Sequence, residues 1–252
     1  ILIAWIIPAL FHPVPADARP QPLVVTVRQP FQPGVSPEVT RTEARARALL
    51  RLLRKAIQSR SACFSAVSLP AAEPGRLAAA CCLLKPRVRE RGYYRDGPSE
   101  GVTVEASAMV PSGDAGTSAA GCTAPSRSFS ILARFLAREA ALIDALDGDP
   151  SDRSRASLGR RLEAVQTLRP VVELLAGGRI REPRNALAFI DAARALDPKV
   201  PAAHYLEGLA RMELGRAGPA LEAMDRELGS GSPVAWAYLD RGLLLQAEGC
   251  PE

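Results

Sequence analysis

The last third of the chain repeats itself at an offset of 34 residues, and this periodicity limits the folds available to it. The positions that match across the offset are Ala186 with Ala220, Leu187 with Leu221, His204 with Tyr238, Gly208 with Gly242, Leu209 with Leu243, and Gly215 with Gly249. A period of this length accommodates two short helices and a turn. The sequence therefore predicts helix–turn–helix units stacked on one another.

These positions resemble the tetratricopeptide-repeat family, and the resemblance covers residues 165–252. Gly208 and Gly242 match the small residue at which the two helices of a repeat cross closely, and Gly215 matches the turn glycine. The run Ala195-Leu196-Asp197-Pro198 is similar to the end-of-repeat signature. The resemblance implies an all-α domain built from stacked helical repeats.

The sequence departs from the family at several larger side chains. His204 and Tyr238 stand where the family has Trp, and Glu207 stands where its first helix has Leu. The alternative is a plain antiparallel helical bundle whose periodicity arises by chance. Because stacked repeats need a neighbour or a cap at each end, we expect repeat sequence to continue beyond Glu252.

The resemblance also implies a binding surface for a protein or peptide partner, because the first helices of successive repeats line a concave face that holds extended peptides. The residues assigned to this face are Tyr205, Leu209, Met212, Glu213, Trp236, Leu239, Leu243 and Gln246. Aromatic and aliphatic side chains dominate the set, so we expect an apolar or weakly polar peptide, and Tyr205→Ala is expected to weaken its capture. Alternatively, some of these side chains, above all Trp236 and Leu243, pack against a following repeat.

Residues 19–110 have a different pattern, which predicts a small α+β domain. Ser36-Pro37-Glu38 is a helix start with a capping Ser and a Pro at the first helical position. The predicted elements are a strand at 23–27, a helix from this start to about Arg60, a helix over Gly75–Leu84, and a hairpin of Val88–Tyr94 with Gly101–Val110. In the last strand Val102, Val104, Ala106 and Ala108 share one face.

This order of elements resembles the small α+β domains of bacterial envelope lipoproteins and of flagellar assembly protein T. The resemblance implies an accessory role in the cell envelope without catalysis. Residues 111–127 are rich in Gly, Ser, Thr and Ala without periodicity and predict a linker or mobile loop. Residues 128–252 have helical periodicity throughout.

The start of the chain predicts export. An apolar run over residues 1–10 leads to Ala16-Asp17-Ala18, so residues 1–18 form a signal peptide in this interpretation, and the mature bacterial protein is periplasmic or extracellular. The alternative is a buried element that begins the fold. An exported chain can form disulfides, and a bridge from Cys63 to Cys81 or Cys82 is the predicted one. The alternative is that these cysteines are small buried apolar residues.

The charge balance does not predict a nucleic-acid partner, although the net charge is +5. The chain has 32 basic residues, of which only Lys55, Lys85 and Lys199 are lysine, an arginine bias typical of a GC-rich genome. The local concentration at Arg41–Arg60 has no interleaved aromatic residue that could stack on bases. We interpret it as a solvated helix face, with weak contact to an anionic envelope surface as the alternative.

The sequence has no motif that carries known catalytic or cofactor chemistry. Phosphate-binding glycine loops, the nucleophile elbow and the zinc-protease motif are all missing, and the only histidines are His12 and His204. The acidic group Asp144, Asp147, Asp149 and Asp152 lacks the spacing of a calcium loop. We therefore expect a non-enzymatic interaction scaffold without cofactor or metal; the alternative is an accessory part of a larger enzyme.

Overall fold

The structure is a computed structural model that describes residues 21–59, 72–110, 126–148, 150–176 and 178–249. Within these ranges the chain forms β1 (Gln21–Pro30), α1 (Pro37–Gln58), α2 (Glu73–Leu84), β2 (Arg87–Asp96), β3 (Ser99–Val110), α3 (Arg127–Asp147), α4 (Asp152–Leu174), β4 (Leu175–Ala176), β5 (Arg179–Ile180), α5 (Pro183–Leu196), α6 (Ala203–Glu213), α7 (Ala217–Leu228) and α8 (Trp236–Ala247). A sheet with two helices is thus followed by a mostly helical region, as the sequence predicts.

The N-terminal strands form an antiparallel sheet with β3 in the centre. The predicted alternation of β3 is confirmed, because Val102, Val104 and Ala106 are buried while the residues between them are half-buried. The β2–β3 hairpin is also present, with Gly97 at a φ of +57° in its turn. On the other side, β1 places Val27 opposite Val104 and so completes the inner face of the sheet.

Helix α1 begins where the sequence predicts and packs against β1 and β3. The Ser36 hydroxyl accepts a hydrogen bond from the backbone N–H of Val39 at 3.3 Å, and Pro37 is the first helical residue. Ala44 and Ala48 are fully buried, and their small side chains allow the helix to lie close to the sheet. The observed helix ends at Gln58, slightly before the predicted end.

The sheet region and the helical region share two helices. One face of α3 (Leu136, Leu146) packs with the sheet, α1 and α2, as does Leu162 of α4. Ile131 and Phe135 of α3 belong instead to a second core, formed with α4 to α8. The helical region is therefore anchored directly on the sheet region through α3 and α4.

Several predictions lie outside the described residues. They are the signal peptide at 1–18, Cys63 with its proposed disulfide, and most of the linker predicted at 111–127. The last two linker residues start α3, because the Ser126 hydroxyl accepts a hydrogen bond from the Phe129 N–H at 3.1 Å. Cys81 and Cys82 are half-buried on α2 beside the first core, a placement that suits small apolar side chains.

The turn glycines of the C-terminal helices recur in the structure. Gly215, between α6 and α7, has a φ of +68°, and Gly249, after α8, has a φ of +76°. This left-handed conformation favours glycine. Upstream, α4 is followed by the small β4–β5 hairpin, in which Leu175 pairs with Ile180, an element that the sequence did not predict.

Candidate functional site

The eight residues predicted to bind a partner lie on two helices with very different surroundings. Tyr205, Leu209, Met212 and Glu213 are on α6, which is packed between other helices, and Trp236, Leu239, Leu243 and Gln246 are on α8. The structure therefore does not bring them together as one open surface.

Tyr205 lies in the core, so its predicted place on an exposed binding face is wrong. Its side chain is fully buried, and its hydroxyl donates a hydrogen bond to Oδ2 of Asp240 at 2.8 Å. The other oxygen of Asp240 accepts a hydrogen bond from Arg127. Tyr205 of α6 and Arg127 of α3 thus hold the same buried carboxylate of α8, and Tyr205 has a structural role.

The pKa values in this cluster shift in the direction that burial dictates. Burial is the main cause that raises the pKa of Tyr205, and the charge of Asp240 and its hydrogen bond raise it further. Burial also raises the pKa of Asp240, although the Tyr205 hydrogen bond and the Arg127 charge oppose this effect. The Tyr205 hydroxyl therefore stays protonated at every physiological pH and can donate to Asp240. The cluster joins three helices, α3, α6 and α8.

Four further predicted residues are covered to different degrees. Leu209 is buried, and Met212 packs against the second core. Glu213 accepts hydrogen bonds from Arg179 in β5, with the closest at 2.8 Å. Trp236 is half-buried, with the Arg127 guanidinium 5.2 Å from the centre of its ring. These contacts hold the four side chains within the protein and leave them little surface for a partner.

The remaining three residues, Leu239, Leu243 and Gln246, are exposed on α8. Leu239 and Leu243 are 49% and 48% exposed, and neighbouring Tyr238 is 62% exposed. Together with Gly242 these residues share one face of the helix, because Gly242 lies four positions after Tyr238 and three after Leu239, and Leu243 and Gln246 continue the same spacing. We call Tyr238, Leu239, Gly242, Leu243 and Gln246 the α8 face. Sequence analysis missed Tyr238, although its repeat match with His204 marked it as an aromatic position.

Two glycines at the same repeat position differ in their surroundings. A Cβ atom added to Gly208 of α6 would lie 2.6 Å from the Cε of Met224, which α7 inserts at this point. A Cβ added to Gly242 of α8 would meet no atom of the described residues within 4 Å. The close helix crossing predicted at Gly208 is thus present, whereas the equivalent position on α8 is open among the described residues.

We predict that Gly208→Leu lowers the free energy of unfolding by about 1–3 kcal/mol, because the side chain must displace Met224 in a packed core. Gly242→Leu is the matched control. It adds the same atoms at an open position of a helix and should leave stability unchanged or slightly higher, since glycine is a poor helix former. Urea unfolding of both variants tests this, and equal losses would contradict the difference in packing.

Glu207 explains one departure from the repeat pattern. This carboxylate is buried, and it accepts hydrogen bonds or ion pairs from Arg194 of α5, Arg211 of α6 and, at 3.5 Å, Arg226 of α7. Burial raises the pKa of Glu207, but the hydrogen bond and charge of Arg194, with Arg211 and Arg226, outweigh burial and hold that pKa below its ordinary value. A carboxylate here replaces the apolar contact of a leucine with ion pairs to Arg211 of its own helix and to the two neighbouring helices, α5 and α7.

The basic residues of α1 are mostly engaged with carboxylates. Arg45 contacts Glu90 at 2.5 Å, and Arg54 contacts Glu73 at 2.9 Å. Arg47, expected on the solvated face, is largely buried between two carboxylates, at 2.6 Å from each. These carboxylates are Glu43 and Asp147. Asp147 belongs to the acidic group that begins at Asp144. This pairing reduces the positive charge that α1 presents to an anionic surface.

The described residues have neither a candidate metal-binding cluster nor a candidate membrane-spanning helix. They contain no group of three His, Cys, Asp or Glu side chains placed to hold a metal ion. None of the helices in the described ranges is long and apolar enough to cross a membrane. Comparison with family models, curated proteins and solved structures gives no match.

Proposed function

We propose that this protein is a non-enzymatic scaffold that binds a partner protein through the α8 face. The observation that carries the proposal is a difference between two helices. Leu239 and Leu243 of α8 are about half exposed, whereas Tyr205 and Leu209, at the same repeat positions of α6, are buried. A contiguous exposed apolar stripe on a helix is typical of an interaction site.

The partner that fits this face is an amphipathic helix. On α6 the position equivalent to Gly242 is Gly208, and the Met224 side chain of α7, which packs against α6, fills the space beside it. Gly242 leaves the same kind of space on α8. A helix that presents a long aliphatic side chain there would reproduce the α6–α7 packing, a mode of recognition in which an apolar helix face lies against an apolar groove.

We place this scaffold in the bacterial cell envelope. The proposal is supported by the signal-peptide pattern of residues 1–18 and by the resemblance of residues 19–110 to small envelope domains. The ion pairs of Arg45 and Arg54 make α1 less suited to bind an anionic surface. The apolar α8 face is therefore the better candidate for the interaction.

The experiment uses a fluorescein-labelled peptide with the sequence of residues 216–230, which contains α7. We predict that the full chain binds this peptide and that Leu243→Asp weakens binding at least tenfold, since apolar residues at the centre of an interface dominate its energy. Fluorescence anisotropy measures both affinities.

The matched control is Phe189→Asp, which removes a 37% exposed apolar side chain from α5 and leaves α8 unchanged. It should bind the peptide within twofold of the unsubstituted chain. Failure of the unsubstituted chain to bind, or equal losses in both variants, would contradict the proposed use of the α8 face.

A further inference from the structure

A second concave site lies away from the α8 face. It is a cavity of about 400 Å³ bordered by α3, the loop between α5 and α6, and the end of α7. Arg134 of α3, Lys199 of the loop and Arg226 of α7 line it. Three cationic side chains from three separate elements thus converge on one cavity.

Among the described residues that line this cavity, the one carboxylate is that of Glu227, and backbone groups already engage it. It is buried, and it accepts hydrogen bonds from the N–H of Val234 at 2.9 Å and the N–H of Tyr205 at 3.3 Å. Its oxygens hold the start of α6 and the chain before α8 in place. A ligand in the cavity would therefore meet few free acceptors.

The positive charges of the three cations, by contrast, are only partly neutralised by nearby carboxylates. Arg134 donates to the backbone carbonyls of Ser232 and Pro233, which are neutral acceptors. Arg226 is 3.5 Å from Glu207, and that carboxylate is shared with two other arginines. Lys199 is exposed and has no ion pair with the described carboxylates. The site therefore has an excess of positive charge.

Neutral hydrogen-bond donors also line the cavity. Burial, followed by the charges of Arg194 and Arg226, lowers the pKa of His204, so its ring is neutral at pH 7. Nδ1 of His204 lies 2.7 Å from Arg194 and accepts its hydrogen bond, which leaves the proton on Nε2. His204 and the hydroxyl residue Ser230 both line the cavity. These two neutral groups can donate hydrogen bonds beside the cations.

We propose that this cavity binds a phosphate group, either free or carried by a small organic molecule. Two or three cations match the double negative charge of a phosphate better than the single charge of a carboxylate, and charge-assisted hydrogen bonds to phosphate are strong. The start of α6 also lines the cavity through Ala202 and His204. The volume exceeds that of phosphate alone and is within the range of small-molecule sites.

The test titrates the full chain, labelled with ¹⁵N, with inorganic phosphate, glycerol 3-phosphate and acetate at constant ionic strength. We expect amide shifts at Ala203, Ser230 and Ser232 with both phosphates and much weaker shifts with acetate. Lys199→Gln combined with Arg226→Gln should weaken phosphate binding at least tenfold. Tighter binding of glycerol 3-phosphate assigns the rest of the cavity to the organic part, whereas equal binding makes free phosphate the ligand.

The matched control combines Arg184→Gln with Arg216→Gln, which removes the same charge from exposed residues outside the cavity. It should bind phosphate within twofold of the unsubstituted chain. Equal losses in the two double variants, amide shifts spread over the surface, or binding of acetate as tight as that of phosphate would overturn the proposal. The peptide-binding assay on α8 is unaffected by any of these outcomes, so the two proposals fail separately.

Discussion

Tyr205→Ala is expected to lower the free energy of unfolding by about 3–5 kcal/mol, the range for truncating a fully buried aromatic side chain. The substitution leaves a cavity between α6 and α8 and removes the donor to Asp240. Any loss of partner binding in this variant would then follow from a loss of structure. Urea unfolding followed by circular dichroism measures the effect.

Tyr205→Phe separates the contribution of the buried ring from that of the hydroxyl hydrogen bond. It keeps the ring and removes only the hydroxyl, so we expect a smaller loss, about 1–2 kcal/mol, from the hydrogen bond that Asp240 no longer accepts. Combining it with Asp240→Asn should give less than the sum of the two single losses, because the residues share one interaction. Near-native stability of Tyr205→Ala would contradict the buried position of the ring.

Glu207→Gln is expected to lower the free energy of unfolding by about 3 kcal/mol, since removing one member of a buried ion pair leaves its partners uncompensated. The partners, Arg194, Arg211 and Arg226, come from three consecutive helices. Their guanidinium groups are partly exposed, so we place the loss at the lower end for buried pairs. Urea unfolding at pH 7 tests the value.

The effect of Glu207→Gln should depend on pH in a defined direction. The folded pKa of Glu207 is lower than its ordinary value of 4.5. Its stabilising contribution is therefore complete above that ordinary value and is lost as the pH falls through the folded pKa. The stability difference between the two proteins should narrow at pH 3.

Glu213→Gln is the matched control on the same helix. Glu213 pairs with Arg179, whose side chain is 78% exposed, and pairs of this kind contribute little to stability. We expect a loss of less than about 1 kcal/mol. Equal losses of stability for the two substitutions would contradict the role of Glu207. So would a stability difference between Glu207→Gln and the unsubstituted protein that widens in acid.

Local sequence signals predicted the N-terminal elements well. The alternation of β3 and the Ser36-Pro37 start of α1 depend on residues close in the chain, and both are present in the structure. The pairing of β1 with β3 joins Val27 to Val104 across two helices, and no local pattern encodes such a contact. The sharing of α3 and α4 between two cores was missed for the same reason.

The repeat pattern identified the equivalent positions of α6 and α8, but it did not predict which of them are buried by other helices. Gly208 and Gly242 are identical in sequence and repeat position, yet Met224 fills the space beside one and nothing described lies beside the other. Likewise, the aromatic character of Tyr205 suits a binding surface as well as a core. Its buried side chain contacts Asp240, a residue of another helix, and the spacing of the repeat does not identify this pair.

Hydrogen–deuterium exchange of the full chain, with and without the peptide of residues 216–230, tests the central claim most directly. If a partner helix docks on the α8 face, the peptide should slow exchange over Trp236–Ala247, because bound amides are shielded and the helix opens less often. The N-terminal sheet and α1 should exchange at unchanged rates. Slowed exchange over Pro37–Gln58, with α8 unaffected, would contradict the claim and place the interaction on α1.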